Sequence, residues 1–143
     1  MKIWRQPFDL DLLHQMGTNT LGDILGMRFT DFGDDYLVAE MPVDHRTVQP
    51  MRLLHGGASV ALAETLGSVA SLLCVEDITK KAPVGIEINA NHLRSVREGG
   101  KVTGTARPIR IGRSIHVWQI DIKDERDRLV CTSRLTTMVV DQQ

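Results

Sequence analysis

Residues 58–75 constrain the fold of this chain more than any other stretch of its 143 residues. Val60, Leu62, Leu66, Val69, Leu72, Leu73 and Cys74 run nearly all the way round a helical wheel, and Ala58, Ala61, Ala63, Gly67, Ala70 and Ser71 fill the gaps. A helix that is apolar or small on every side must be surrounded by protein. One such helix in a chain of this length needs a sheet that curls around it, usually with a partner subunit behind the sheet. Within the stretch only Glu64 carries a charge.

The flanking sequence supplies the sheet. Asp9 is positioned to cap a short helix through Leu12, Leu13 and Met16 that Gly17 ends, and a second helical turn is expected over 20–25, before Gly26. Residues 27–43 read as two strands around Gly33-Asp34-Asp35, and 44–50 as an irregular polar loop in which Pro50 holds Gln49 extended. After Pro83 the period becomes two: Val84, Ile86, Ile88 and Ala90 alternate with Gly85, Glu87, Asn89 and Asn91. Three more strands follow over 101–110, 113–123 and 129–140, separated by Glu98-Gly99-Gly100, Gly112 and the charged turn 124–128. Trp118, Ile120 and Ile122 share one face, with Ile115 and Val117 out of phase. Either both faces are sheltered there or a bulge intervenes. The expected architecture is one α+β domain over residues 1–143, an antiparallel sheet wrapped around a long central helix.

Composition removes several function classes. A net charge of −1 argues against a general binder of nucleic acid or membrane surface. The two cysteines, Cys74 and Cys131, form no C-x-x-C pair, so redox and zinc chemistry have no support. The N-terminal residues lack the apolar stretch of a secretory signal, and no run approaches a membrane span; a cytoplasmic protein is expected. His14 and His45 fall in expected surface segments and His116 on a strand. No two histidines are spaced for a metal, so neither metal nor cofactor is expected.

Glu64 is then the first candidate for chemistry, because burying a lone carboxylate is costly. Gly67, Ser68 and Ser71, at i+3, i+4 and i+7, form a small polar stripe on its face, from which Ser68 can donate to a carboxylate or orient a water. His55-Gly56-Gly57 opens the same helix. Helix N-termini present unpaired N–H groups and partial positive charge, and glycine lets a substrate oxygen approach them. That combination suits a carbonyl gaining negative charge. Gly56 and Glu64 are eight positions apart, about 12 Å along the axis at ~1.5 Å per residue. If both act on one carbonyl, they come from different subunits and the site lies at a dimer interface.

Met41-Pro42-Val43-Asp44, Gln49-Pro50, Leu53-Leu54-His55-Gly56-Gly57-Ala58-Ser59 and Leu62-Ala63-Glu64-Thr65-Leu66-Gly67-Ser68 together resemble the hotdog-fold acyl-CoA thioesterases. Within them the chain is similar to the bacterial branch that includes a 1,4-dihydroxy-2-naphthoyl-CoA hydrolase of menaquinone synthesis and a proofreading thioesterase of enterobactin synthesis. Gly85 to His92, Val117-Trp118-Gln119-Ile120 and Ser133-Arg134-Leu135-Thr136-Thr137 extend the resemblance over nearly the whole chain; Asn89-Ala90-Asn91-His92 and the Ser133 to Thr137 ending are closer to the naphthoyl-CoA enzyme.

The resemblance implies hydrolysis of an acyl-CoA to acid and CoA, with Glu64 as nucleophile or general base. It implies that the Gly56 N–H polarises the thioester carbonyl, helped by Gln49 and His55, and that Ser68 positions water or the carboxylate. CoA would run along Gly85, His92, Leu93, Arg94 and Ser95, and along Arg110, Ile111, Gly112, Arg113, Ser114 and Ile115. CoA is thereby substrate and not cofactor, and the arginines supply charge for its phosphates. The family also implies a homotetramer of two dimers. Where its pattern has an aromatic and a glycine after Gln49-Pro50, this chain has Met51 and Arg52, which put a different apolar wall and an added charge near Gln49 and His55. Two other classes compete. A hotdog dehydratase would act on a carbon–carbon bond, but the double glycine and Glu64 favour the thioesterase pattern. A non-catalytic acyl-CoA sensor would need an output domain and gives no reason to bury Glu64.

Overall fold

The computed structural model describes residues 1–143. Helices α1 (Leu10–Met16) and α2 (Leu21–Ile24) lead into the hairpin β1 (Arg28–Phe32) and β2 (Leu37–Pro42). The long helix α3 (Gly56–Leu73) follows, then β3 (Lys81–His92), β4 (Lys101–Ile111), β5 (Ile115–Lys123) and β6 (Leu129–Asp141). All six strands form one antiparallel sheet in the order β1-β2-β4-β5-β6-β3. The sheet packs on α3 through β2, β4, β5, β6 and β3, as the wheel of apolar residues requires.

Helix α3 begins two residues before the expected Ala58. Glycines are poor helix formers, but here the His55 imidazole caps the end, its Nδ1 accepting the Gly57 N–H at 2.8 Å. The helix also ends earlier than Val75, with Cys74 as its C-cap. Leu62, Ala63, Leu66 and Ala70 are completely covered and meet Val102, Ala106, Ile120, Ile122 and Leu135 in one core. Gly67 and Gly104 allow that approach: a Cβ on Gly67 would lie 2.5 Å from Leu135 Cδ2, and one on Gly104 2.8 Å from Leu66 Cδ1. Gly56–Leu73 is long and apolar enough to meet the length and composition test for a membrane span, contrary to expectation; here it is the core helix that the sheet covers.

In β5, His116, Trp118, Ile120 and Ile122 are buried against α3, while Ile115 and Val117 are half-buried on the outer face. Pairing with β6 is regular from Ile115 to Ile122, so two sheltered faces, and no bulge within this stretch, explain the out-of-phase residues. The break lies in β4, between Pro108 and Arg110. Proline has no N–H for the ladder.

Ser71 turns into the core and not along an accessible stripe. Its hydroxyl accepts from Trp118 Nε1 at 2.7 Å and lies 2.8 Å from Thr137 Oγ1 and 3.2 Å from His116 Nδ1. Burial holds His116 below the ordinary imidazole range, against a contact with the Gly112 backbone that raises it.

Strand β3 starts at Lys81, upstream of Pro83. An edge strand tolerates that proline, and β3 pairs only with β6. Its outer rim is unpaired, its register breaks between Gly85 and Glu87, and Val84 and Ile86 are about half exposed. At the opposite edge His14 is half-buried and not a free surface residue: its Nε2 lies 3.1 Å from both the N–H and the carbonyl of Phe29 in β1.

Candidate active site

The loop before α3 is closed by isolated bridges, Val48 with Leu54 and Leu53 with Arg97, and by bonds from Gln49 N to Leu53 O and from Leu54 N to Val96 O. These contacts carry Gln49, Gly56 and the segment His92 to Ser95 to one cavity of about 410 Å³, which Leu53, Leu54, Ser59 and Val130 complete. The His92 ring lies directly on Gly56, where a Cβ would be 2.9 Å from Nε2. Gln49 Oε1 accepts from the Met51 N–H, leaving its amide NH₂ without a partner in the chain. The Gly56 N–H also has no partner, since its neighbour Gly57 takes the His55 cap.

Arg52 does not bring charge to this cavity. Its backbone is in the left-handed region (φ 62°), and its guanidinium pairs with Glu98, Nε donating to Oε1 at 3.0 Å. Of the two departures, Met51 is 75% exposed and Arg52 is committed elsewhere, so neither lines this wall.

Glu64 lies on the half-buried outer strip of α3. Its carboxylate has no hydrogen bond or ion pair, and neither has the Ser68 hydroxyl one turn on. Opposite stands Gly85 in β3, where a Cβ would be 2.6 Å from Glu64 Oε2. Gly85 therefore belongs spatially with the carboxylate, which lies where a side chain at this position would stand. Glu64 lines none of the cavity at the helix N-terminus, and the two groups remain about 12 Å apart along the axis.

Residues 110–115 do not meet the His92 to Ser95 segment within one chain. Ile111, Gly112, Arg113 and Ser114 line a separate polar cleft of about 950 Å³ with Arg5, Cys74 and Lys80. Arg94, Arg97, Arg110 and Arg113 form no ion pair, whereas Lys101 is paired with Glu40 and Arg107 lies near Asp35 and over the Tyr36 ring. Burial pushes the Cys74 thiol up to about 12, so it is protonated and a poor nucleophile. No three His, Cys, Asp or Glu side chains converge as a metal cluster.

The sequence reading missed an apolar cavity of about 500 Å³ between α1, α2, β1 and α3. Leu13, Met16, Met27, Phe29 and Val69 supply its apolar wall, and His14 and Thr65 its inner polar groups. Thr65 and Val69 stand about 100° round the helix from Glu64 and Ser68, on the same half-buried side of α3. The i, i+3 pair Leu13 and Met16 was the visible signal, but it does not say what the pair faces.

Residues 51–131 match the thioesterase superfamily. The chain is 53% identical over 138 residues to the 1,4-dihydroxy-2-naphthoyl-CoA hydrolase of Escherichia coli, covering 96% of this chain and 99% of that one. It is 49% identical to the proofreading thioesterase EntH of Cronobacter turicensis, over 96% of this chain and 98% of the relative. The crystal structure of thioesterase HI1161 from Haemophilus influenzae superposes with a TM-score of 0.93 at 53% identity, covering 97% of this chain and 95% of the other.

Proposed function

Because the chain belongs to the thioesterase superfamily, in which the hotdog fold places a sheet around one central helix, and is a thioester-hydrolysing enzyme, we infer that it cleaves acyl-CoA with Glu64 as the reacting carboxylate. The observation that carries this reading is a half-buried carboxylate with no partner, the one charge of an 18-residue core helix. Beside Gly85 it either attacks the thioester carbonyl, breaking the C–S bond, releasing the CoA thiolate and giving an anhydride that water opens, or takes a proton from a water whose attack releases that thiolate. Ser68, one turn further along the helix, would hold that water or the carboxylate.

The charge that develops on the carbonyl oxygen falls to the other group. The free Gly56 N–H lies at the positive end of α3, and the free amide of Gln49 shares its cavity. His55 does not line that cavity; its Nδ1 accepts the Gly57 N–H, and its other ring nitrogen would assist from beside the helix N-terminus. Since one chain holds these groups too far from its own Glu64, the working site combines Glu64 of one subunit with Gln49, His55 and Gly56 of a second. The unpaired rim of β3, with exposed Val84 and Ile86, is the edge along which two copies join, and a pair of such dimers makes the tetramer.

The acyl group occupies the 500 Å³ cavity beside Thr65 and Val69, a volume suited to an aromatic ring system. CoA extends past His92 to Ser95, and its phosphates meet the unpaired arginines of 94–113. The favoured substrate is an aromatic acyl-CoA such as 1,4-dihydroxy-2-naphthoyl-CoA, consistent with the Escherichia coli relative. Broader proofreading of acyl-CoA or acyl-carrier-protein thioesters is the second reading, consistent with the EntH relative. Thiol release from a panel of aromatic and aliphatic acyl-CoAs and acyl-carrier proteins tests both. Glu64→Gln is expected to lose at least ~10³-fold in kcat. Full thiol release by that variant contradicts the mechanism, and a preference for aliphatic chains contradicts the naphthoyl assignment.

A further inference from the structure

The cavity between α1, α2, β1 and α3 has an apolar wall with one imidazole set into it. His14 comes from α1, and its Nε2 is fixed on the outward-facing backbone of Phe29, 3.1 Å from both N–H and carbonyl. That contact occupies one ring nitrogen and fixes the ring. The other, Nδ1, has no partner in the chain although the residue lines the cavity. Thr65, across the cavity, already donates its hydroxyl proton to the Ala61 carbonyl, and Asp23 and Arg28 stand exposed at the rim.

We propose that His14 reads a ring hydroxyl on the acyl group and so makes the enzyme selective for hydroxylated aromatic acyl thioesters, resting on the acyl-cavity reading above. If Nε2 accepts the Phe29 N–H, Nδ1 carries the proton and donates to the ligand. If Nε2–H donates to the Phe29 carbonyl, Nδ1 accepts from it. A hydroxyl satisfies either tautomer, because it both donates and accepts. A bare hydrocarbon ring in the same place strips water from Nδ1 and returns nothing, which is how a site built for a hydroxyl rejects its unsubstituted analogue. His14 does not touch the thioester, so its effect is confined to which acyl groups are held productively.

The test compares matched thioesters, 1-hydroxy-2-naphthoyl-CoA against 2-naphthoyl-CoA and 4-hydroxybenzoyl-CoA against benzoyl-CoA. The wild-type enzyme is expected to favour the hydroxylated member by about tenfold or more in kcat/KM. His14→Leu is expected to bring that ratio toward unity mainly by losing the hydroxylated substrate, and His14→Asn, which keeps a donor and an acceptor, to restore part of it. In case His14→Leu loosens α1, the Nδ1 resonance of His14 is followed in Glu64→Gln enzyme, and should move on saturation with the hydroxylated thioester and not with its plain partner. An equal loss on both substrates, an unchanged ratio, or a resonance that ignores the hydroxyl overturns the proposal. Retained thiol release by Glu64→Gln overturns instead the catalytic reading beneath it, by a separate measurement.

Discussion

Gly85→Ala isolates the position of the Glu64 carboxylate from every other property of the site. The added Cβ would stand 2.6 Å from Oε2, whereas ordinary contact begins at 3.4 Å, a shortfall of about 0.8 Å. Gly85 has no positive φ, so alanine fits the strand backbone. The cheapest relief is therefore for the Glu64 side chain to retreat by most of that distance. A reacting group displaced by about 1 Å loses roughly 10²-fold in rate, so kcat is expected to fall between about tenfold and about 100-fold. KM should change little, because the substrate's own contacts remain. The melting temperature should stay within a few degrees, since the clash is with the free end of a side chain on a half-buried strip. Steady-state thiol release on one acyl-CoA and a thermal melt measure all three. Glu64→Gln/Gly85→Ala should be no slower than Glu64→Gln alone, because the displacement acts only through that carboxylate. Unchanged kcat in Gly85→Ala refutes the reasoning. So does a rise in KM alone, which would place Gly85 against CoA and not against the reacting group.

A shared site also predicts complementation: Glu64→Gln chains co-assembled with Gln49→Ala chains should recover about a quarter of wild-type activity, since half of random dimers are mixed and each has one intact site. No recovery in a mixture shown to contain mixed dimers contradicts the two-subunit site. His116 makes a pH prediction. Its folded value lies below the unfolded value near 6.5, so between the two the unfolded chain binds more protons. Its contribution is complete above that unfolded value and is lost as pH falls toward the folded one. Urea midpoints should drop between about pH 7 and pH 5, and His116→Gln should flatten that segment; equal slopes in the two proteins refute the assignment.

The parts of the fold that were legible in the sequence are those whose cause is local. The wheel of residues 58–75 needed nothing distant to identify a buried helix, and the single charge in it singled out Glu64. Gly33-Asp34-Asp35 and Glu98-Gly99-Gly100 marked their turns by composition, and Gly99 and Gly100 adopt φ of 103° and 88°. What was misread depended on partners far along the chain. Arg52 looked like a charge beside Gln49, because nothing near it names Glu98, 46 residues away, as its partner. Ser71 sits close to Glu64 on the wheel, yet the strand order brings Trp118, His116 and Thr137 to its hydroxyl and takes it into the core. His14 read as surface because the residue it plugs, Phe29, lies 15 positions later. The apolar cavity was invisible for the same reason, being bounded by four elements at once. The spacing of Gly56 and Glu64 is the opposite case: a helix has a fixed rise, so a distance along the sequence was already a distance in space.

The free rim of β3 also bears on how such a chain survives its own synthesis. A newly released copy carries a 12-residue strand with an open ladder and two exposed branched apolar residues. Any other open strand in its surroundings could pair there, so on the proposed edge-to-edge dimer assembly is a race between its own kind and strangers. Pro83 deletes one rung, the break between Gly85 and Glu87 bends the rim, and Lys81 and Glu87 place charge along it. On the edge-to-edge dimer proposed above, these interruptions discourage pairing with a generic strand. On that proposal residues 81–92 govern the choice of company as well as the chemistry beside Gly85.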